Sequence, residues 1–170
     1  MTNQFKIFIN PEELINLKNN EKNLIIFDSS YFLPNTGTSA KEEYLTEHIE
    51  GSIFFDIDKI ADPNEKFLPH MFPSEKVFTY QMQNLGLNQD DHVVIYDNSP
   101  LFSSARCWFL LNYFGHSKIS ILQGGIESWK TFGGKTEKFI NSRTKGNFKS
   151  DVKNKGQVLK INEIKKISDL

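Results

Sequence analysis

Short apolar runs alternate with helical patterns along most of this sequence. The clearest run, "NLIIFD", is continuously apolar and ends in a carboxylate, as a strand buried on both faces would. Strands separated by helices favour a parallel sheet that is covered on both sides. We therefore predict an α/β fold with a parallel sheet of about five strands flanked by helices on both faces. Its strands come from "FKIFI", "NLIIFD", "SIFFDI", "HVVIYD" and "KISILQ".

Helix-start residues precede the segments between these runs. Asn10 comes directly before Pro11, Ser39 precedes an acidic first turn, and Ser74 precedes the apolar stripe of "SEKVFTYQMQNLG". Such residues cap helices because their side-chain oxygen accepts a backbone N–H that has no partner within the helix. We expect helices to begin at these three positions, and a short final helix in "GGIESWKTFGG". The two glycines that open this segment indicate close backbone packing.

Three aspartates, Asp28, Asp56 and Asp97, follow predicted strands. The carboxyl ends of parallel strands share one rim of the sheet, where ligands usually bind. Asp97 could attack an acyl or phosphoryl group, or it could accept backbone N–H bonds and organise the loop after it. We favour the structural role because no general base or metal cluster stands beside Asp97 in the sequence.

Cys107 is the only cysteine of the chain. With Ser103 or Ser104 as the cap of its helix, the apolar residues three, four and seven positions later share its helical face. A thiol buried on such a face has a raised pKa and is inert, because the thiolate is the nucleophile. We predict a packing cysteine. One cysteine also excludes an internal disulfide and fits a reducing cytoplasm.

The segment "FFDIDKI" offers a rival chemistry. Asp56 and Asp58 resemble the aspartate pair of haloacid-dehalogenase-type phosphatases, but the later strand ends "YDNS" and "LQGG" lack the lysine and acidic pair that this chemistry needs. The two aspartates with Asp62 also fail as a calcium loop, because the glycine and final glutamate are missing. We therefore predict no metal site and no cofactor.

Three cationic or titratable side chains have several interpretations. His70 lies in the Pro-punctuated loop "FLPHMFPS" and could carry a proton or serve as a hydrogen-bonded anchor. Arg106 follows a predicted helix N-terminus, where an anion could be held, although an isolated arginine there is more often a salt-bridge partner. His48 ends a helix and can satisfy its terminal carbonyls.

The charge of the chain changes near residue 135. Residues 135–170 hold ten Lys/Arg against four Asp/Glu, and residues 1–134 hold ten against seventeen. We predict a domain over 1–134, then a basic linker and the start of a second domain over 135–170, because "GQVLKINEIKKISDL" resembles the opening "FKIFINPEELINL". The lysines have no accompanying aromatic ladder, so we expect no nucleic acid partner. Nor is any run long enough to span a membrane, and we expect a cytoplasmic protein.

Taken together, the motifs are similar to those of a known family. The segments "EEYLTEHIEGSIFFDID", "LPHMFPS", "DHVVIYDN", "LFSSARCWFLLNYFGH" and "ISILQGGIESW" resemble the N-terminal domain of two-domain rhodaneses, the thiosulfate and 3-mercaptopyruvate sulfurtransferases. The resemblance runs from about Leu24 to Gly134. The short loop from Asp97 to Leu101 resembles the bacterial members.

This resemblance implies a rhodanese-like fold and a division of labour between two halves. In the family, the C-terminal half carries a cysteine that accepts sulfur as a persulfide, and Asp97 occupies the equivalent position here. The resemblance also implies that Asp58 and His70 support the substrate site, as a hydrogen-bonding relay to a serine of the other half. Neither half needs a cofactor.

We therefore expect the N-terminal half of a sulfurtransferase that moves sulfur from thiosulfate or 3-mercaptopyruvate to cyanide or a thiol. Lacking the catalytic cysteine, this chain alone would be inactive. The implied partners are a C-terminal rhodanese domain, from the same gene or a separate chain, and a small sulfur donor. Two alternatives stay open, a non-catalytic rhodanese-like binding module and an aspartate-dependent phosphatase that uses Asp56 and Asp58.

Overall fold

The computed structural model describes residues 5–65, 68–153, 156, 158–159 and 163–165. Strands and helices alternate through most of this range. In chain order they are β1 (Phe8–Ile9), α1 (Pro11–Asn20), β2 (Leu24–Asp28), α2 (Ala40–Thr46), β3 (His48–Ile49), β4 (Ser52–Phe54), α3 (Ile57–Ile60), α4 (Glu75–Asn84), β5 (His92–Tyr96), α5 (Ser104–Tyr113), β6 (Ile119–Leu122), α6 (Gly125–Thr131) and β7 (Thr136–Glu137).

Five strands form one parallel sheet in the order β1-β6-β5-β2-β4. The predicted α/β fold with a five-stranded parallel sheet is therefore confirmed. β2 lies between β5 and β4, with Ile26 opposite both Val94 and Ser52. The strand expected over "SIFFDI" ends at Phe54, because Asp56 already caps the short helix α3.

Both faces of the sheet are covered by helices. In β2, Ile25 and Phe27 point into one core with residues of α3, α4 and α5, whereas Ile26 points into a second core with residues of α1 and α6. This alternation follows from the period of two along a strand. Both cores are built from apolar side chains, so the polar side chains that follow the strands lie at the rim of the sheet. None of the helices described is long and apolar enough to cross a bilayer.

The predicted helix caps are present at three of the starts. The Asn10 side chain accepts the N–H of Glu13, and the Glu13 carboxylate accepts the N–H of Asn10, which completes a capping box before Pro11. The side chains of Ser39 and Ser74 cap α2 and α4 in the expected way. The local sequence therefore determines where these helices begin.

The segment after residue 134 packs on the domain. β7 pairs antiparallel with β3, and Phe148 is fully buried in the core between α4 and α5. Its backbone N–H donates to the carbonyl of Leu87, and its carbonyl accepts from the side chain of Gln83. The predicted boundary at 134 thus precedes a stretch of chain attached to the domain. Much of the segment that resembles the opening of the chain lies outside the described residues.

Candidate functional site

The three rim aspartates all accept backbone N–H groups of the segments that follow them. Asp28 accepts from Ser30 at 2.9 Å, and Asp56 accepts from Lys59 at 3.3 Å. Asp97 accepts from Ser104 at 2.7 Å. Each carboxylate therefore shapes the turn after its strand, which is the structural role favoured above for Asp97.

Asp97 caps helix α5. The sequence predicted Ser103 or Ser104 as the cap, and Ser103 does stand at that position, but its side chain makes no capping hydrogen bond. Its backbone is already helical, with φ −64° and ψ −18°, whereas a capping serine is usually extended. The carboxylate of Asp97 supplies the bond instead, through the backbone N–H of Ser104.

The loop around Asp97 is held closely by its neighbours. The N–H of Asn98 donates to the Ser30 hydroxyl at 2.8 Å, which ties the end of β5 to the end of β2. Gly125 at the start of α6 lies so near that an added Cβ would be 2.2 Å from the carbonyl oxygen of Asp97. The close backbone packing expected of the two glycines in "LQGG" is present at Gly125. Asp97 and Gly125 line a cavity of about 670 Å³ beyond β5 and β6.

Cys107 is buried in the core between α5 and the sheet. Leu110, Leu111 and Phe114 share its face and are buried with it, as the helical spacing predicted. Burial raises the pKa of the Cys107 thiol well above its ordinary value, because the thiolate cannot be hydrated there. The chain therefore presents no accessible thiol in its native state.

Asp58 and His70, in the segments that follow β4, form a pair. The Nε2 atom of His70 lies 2.5 Å from Oδ1 of Asp58, which is in the first turn of α3. The ring of Tyr31 packs edge-on against the imidazole, with the ring centroids 4.8 Å apart. A carboxylate in this position fixes which ring nitrogen carries the proton.

The pair borders an open cleft of about 870 Å³. Residues 30–42, in the loop after β2 and the first turn of α2, form one side of the cleft, and Asp56, Asp58 and His70 form the other. The Asp58 side chain is 71% exposed and the His70 side chain is 22% exposed. The pair is therefore open to a ligand or to a protein surface covering the rim.

Arg106 lies in the first turn of α5 and donates from its guanidinium to the backbone carbonyl of His70. Burial lowers the pKa of Arg106, and its Nε atom has no hydrogen-bond partner among the described residues. The structure thus brings Arg106 together with Asp58 and His70. Sequence reasoning did not connect them, because Arg106 and His70 are 36 residues apart. The role of Arg106 in anion binding stays a prediction.

The aspartates of the rival chemistry have other partners. Asp56 caps α3 and forms an ion pair of 3.2 Å with Lys59, and Asp62 accepts the N–H of Asn64. The described part of the chain contains no group of three side chains that could hold a metal ion. This arrangement gives no support to the phosphatase alternative.

His48 has the structural position expected of it. Its Nδ1 atom lies 2.6 Å from the carbonyl of Tyr44, in the last turn of α2, and the two rings stack with their centroids 3.9 Å apart. Its Nε2 atom lies 3.3 Å from the side chain of Asn141. His48 is fully buried and is therefore not open to a ligand.

Sulfurtransferases are among the proteins whose sequences are similar to this chain. A 3-mercaptopyruvate sulfurtransferase of Escherichia coli (strain K12) is 46% identical over 89 residues, which are 52% of this chain and 31% of that protein. A mitochondrial thiosulfate/3-mercaptopyruvate sulfurtransferase of Arabidopsis thaliana is 39% identical over 113 residues, 66% of this chain and 30% of that protein. The chain thus spans about a third of the length of these relatives.

Solved structures agree with this similarity. The crystal structure of SseA, a 3-mercaptopyruvate sulfurtransferase from Escherichia coli, superposes with a TM-score of 0.85 at 32% identity, over 95% of this chain and 61% of that one. Tum1 from Saccharomyces cerevisiae gives a TM-score of 0.76 at 34% identity, over 86% and 50%. Residues 10–132, from the cap of α1 to the end of α6, match the family model described as "Rhodanese-like domain". The chain belongs to the rhodanese family and is homologous to the 3-mercaptopyruvate and thiosulfate sulfurtransferases.

Proposed function

We propose that this chain is the non-catalytic, N-terminal half of a sulfurtransferase. It forms one wall of a site for thiosulfate or 3-mercaptopyruvate, and a C-terminal rhodanese domain supplies the cysteine. One observation carries the proposal: the carboxylate of Asp97, which the family resemblance puts at the position of the catalytic cysteine, caps α5.

The chemistry of sulfur transfer supports this assignment. A persulfide forms when a thiolate attacks the transferable sulfur of the donor. The S–S bond of thiosulfate then breaks and sulfite leaves, or the C–S bond of 3-mercaptopyruvate breaks and the enolate of pyruvate leaves. The nucleophile therefore needs access and a pKa near the working pH. Cys107 has neither, since it is buried and its pKa is raised. The N-terminus of α5, which would stabilise a thiolate, already binds the carboxylate of Asp97.

The Asp58–His70 pair is the part of this wall that takes part in turnover. With Nε2 of His70 donating to Asp58, Nδ1 of the neutral ring is the nitrogen able to accept a proton. The family resemblance implies a hydrogen-bonding relay from this nitrogen to a serine of the other half. Asp58 stabilises an imidazolium formed at His70, so the pair can relay a proton between the two halves.

The surface around the rim suits a partner domain. Leu68, Met71, Leu101 and Phe102 are exposed in the loops that follow α3 and β5, near the cleft and the Asp97 loop. Exposed apolar side chains in neighbouring loops are typical of a surface that another protein covers. We assign that surface to the cysteine-bearing rhodanese domain, on the same or a separate chain.

Reconstitution tests the proposal. The chain would be mixed with a separately produced C-terminal rhodanese domain, and turnover of 3-mercaptopyruvate with a thiol acceptor would be followed. We expect turnover well above that of either component, and a large decrease with His70→Ala. Phe139→Ala is the control, because Phe139 is exposed in the segment after β7 and should leave the rate unchanged.

The same experiment separates the two remaining functions. If the C-terminal domain turns over 3-mercaptopyruvate equally fast with and without this chain, the chain is not half of a sulfurtransferase. Stable binding of the two domains without any gain in turnover would favour the binding module. If turnover rises but is unaffected by His70→Ala, the relay is wrong and His70 is an anchor of the loop.

A further inference from the structure

We infer that Arg106 is the positioning residue of the Asp58–His70 pair. Its guanidinium holds the backbone of His70 in the conformation that directs the imidazole at Asp58. Only the role of the pair in turnover rests on the proposed function. The effect of Arg106 on the geometry of the pair can be tested on this chain alone.

The backbone of His70 needs an external restraint. Its φ is +58°, in the left-handed region that non-glycine residues seldom occupy. A residue stays in such a conformation only where the surrounding structure holds it there. The next residue is held as well, because the N–H of Asp62 donates to the carbonyl of Met71 at 3.0 Å.

Arg106 supplies the restraint at His70 itself. The carbonyl of His70 accepts from the Arg106 guanidinium, and a charged donor makes a stronger bond than a neutral one. This bond orients the peptide that follows His70, while Asp58 and Tyr31 contact the ring. The backbone and the imidazole are thus held from two separate elements, α5 and α3.

The other contacts of Arg106 make this its principal task. None of the ion pairs in the described part of the chain includes Arg106, and its buried Nε atom has no partner there. A half-buried guanidinium without a carboxylate is costly to keep, since desolvation opposes its charge. Packing alone would be satisfied better by an apolar side chain of the same length.

Helix α5 gives Arg106 a rigid base. Cys107 and Leu110 anchor the helix in the core, and Asp97 caps its first turn, two residues before Arg106. The first turn of α5 therefore joins the Asp97 loop to the Asp58–His70 pair. Arg106 acts through the position of His70.

The experiment observes the proton that joins the pair. With ¹⁵N-labelled histidine, the chain should show a downfield Nε2–H resonance that exchanges slowly with water, assigned by its loss in His70→Asn and in Asp58→Ala. Arg106→Met, which has no donor, should lose this resonance. Arg106→Lys, which can still donate to the carbonyl of His70, should retain it.

Matched controls separate positioning from folding. Arg143→Met removes the other arginine of the chain, which pairs with Asp91, and should leave the His70 resonance unchanged. Arg106→Met should unfold in urea near the wild-type midpoint, because loss of the bond to His70 and removal of a half-buried charge without a carboxylate oppose each other. A variant that keeps its stability but loses the resonance supports positioning.

Two results would count against the idea in distinguishable ways. If the wild-type chain shows the resonance and Arg106→Met keeps it, Arg106 does not position His70, while the pair and the proposed relay stand. If the wild-type chain shows no such resonance, the pair itself is wrong, and the relay of the proposed function fails with it.

Discussion

The Oδ2 atom of Asp97 lies 2.7 Å from the backbone nitrogen of Ser104 and accepts its hydrogen. Asp97 thereby links the end of β5 to the start of α5, across the loop that joins them. Cys107 is in the same helix, one turn further on, and faces the core. The loop is thus organised by a carboxylate cap, and the thiol is buried in the core.

Removing this cap should destabilise the domain. We expect Asp97→Ala to lower the free energy of unfolding by about 1 kcal/mol, the usual effect of losing an N-cap. Asp97→Asn should retain most of the stability, because its side-chain oxygen can still accept the N–H of Ser104. Urea unfolding measures both variants. Asn98→Ala, at the exposed neighbouring position, is the control, and an Asp97→Ala variant as stable as that control would contradict the capping role.

Phe148 should make the segment after residue 134 essential for stability. Its ring is fully buried against Phe78, with the ring centroids 6.0 Å apart. Phe148→Ala is expected to cost about 3–5 kcal/mol, as for other buried phenylalanines. Phe139→Ala removes a ring that is 76% exposed and should change stability by less than about 0.5 kcal/mol. Equal urea midpoints for the two variants would show that the segment is not part of the folded unit.

His116 should make the fold sensitive to mild acid. Burial lowers the pKa of His116 from its ordinary value of 6.5, and the hydrogen bond to the carbonyl of Asp91 and the charge of Asp91 oppose that shift. Lys118 and His92 also lower it. Between the folded-state pKa and 6.5, the unfolded chain binds more protons than the folded one. The contribution of neutral His116 to the free energy of unfolding is therefore complete above pH 6.5. It is lost as the pH falls from 6.5 through the folded-state pKa.

Urea unfolding at about pH 7.5 and about pH 5.5 tests this dependence. We expect the wild-type chain to lose more stability on acidification than His116→Gln does. Only the wild-type chain has an imidazole at position 116 that binds a proton when unfolding exposes it. The comparison between the two chains removes the contribution of the other titrating groups. The same pH dependence in both would contradict the assignment.

Local signals in the sequence predicted much of the fold. Asn10, Ser39 and Ser74 cap helices because capping depends on a few adjacent residues. The buried run "NLIIFD" becomes the strand between β5 and β4, since a run that is apolar on both faces fits only the interior of a sheet. The burial of Cys107 followed from helical spacing alone.

Contacts between distant segments could not be predicted in this way. The bond from Arg106 to His70 depends on how α5 lies against the loop after α3, which no local pattern encodes. Phe148 stands among polar and basic residues, so composition suggested a solvated linker although the ring is buried in the core. The cap by Asp97 was missed because serines stand nearer to the helix start, yet Ser103 is already helical there.

We propose that this chain supplies one wall of a sulfurtransferase site and no nucleophile. Intact mass after incubation with thiosulfate or 3-mercaptopyruvate tests it most directly. Because Cys107 is fully buried and burial raises its pKa well above the ordinary value, we predict an unchanged mass. A stable gain of one sulfur atom, located on Cys107, would contradict the account.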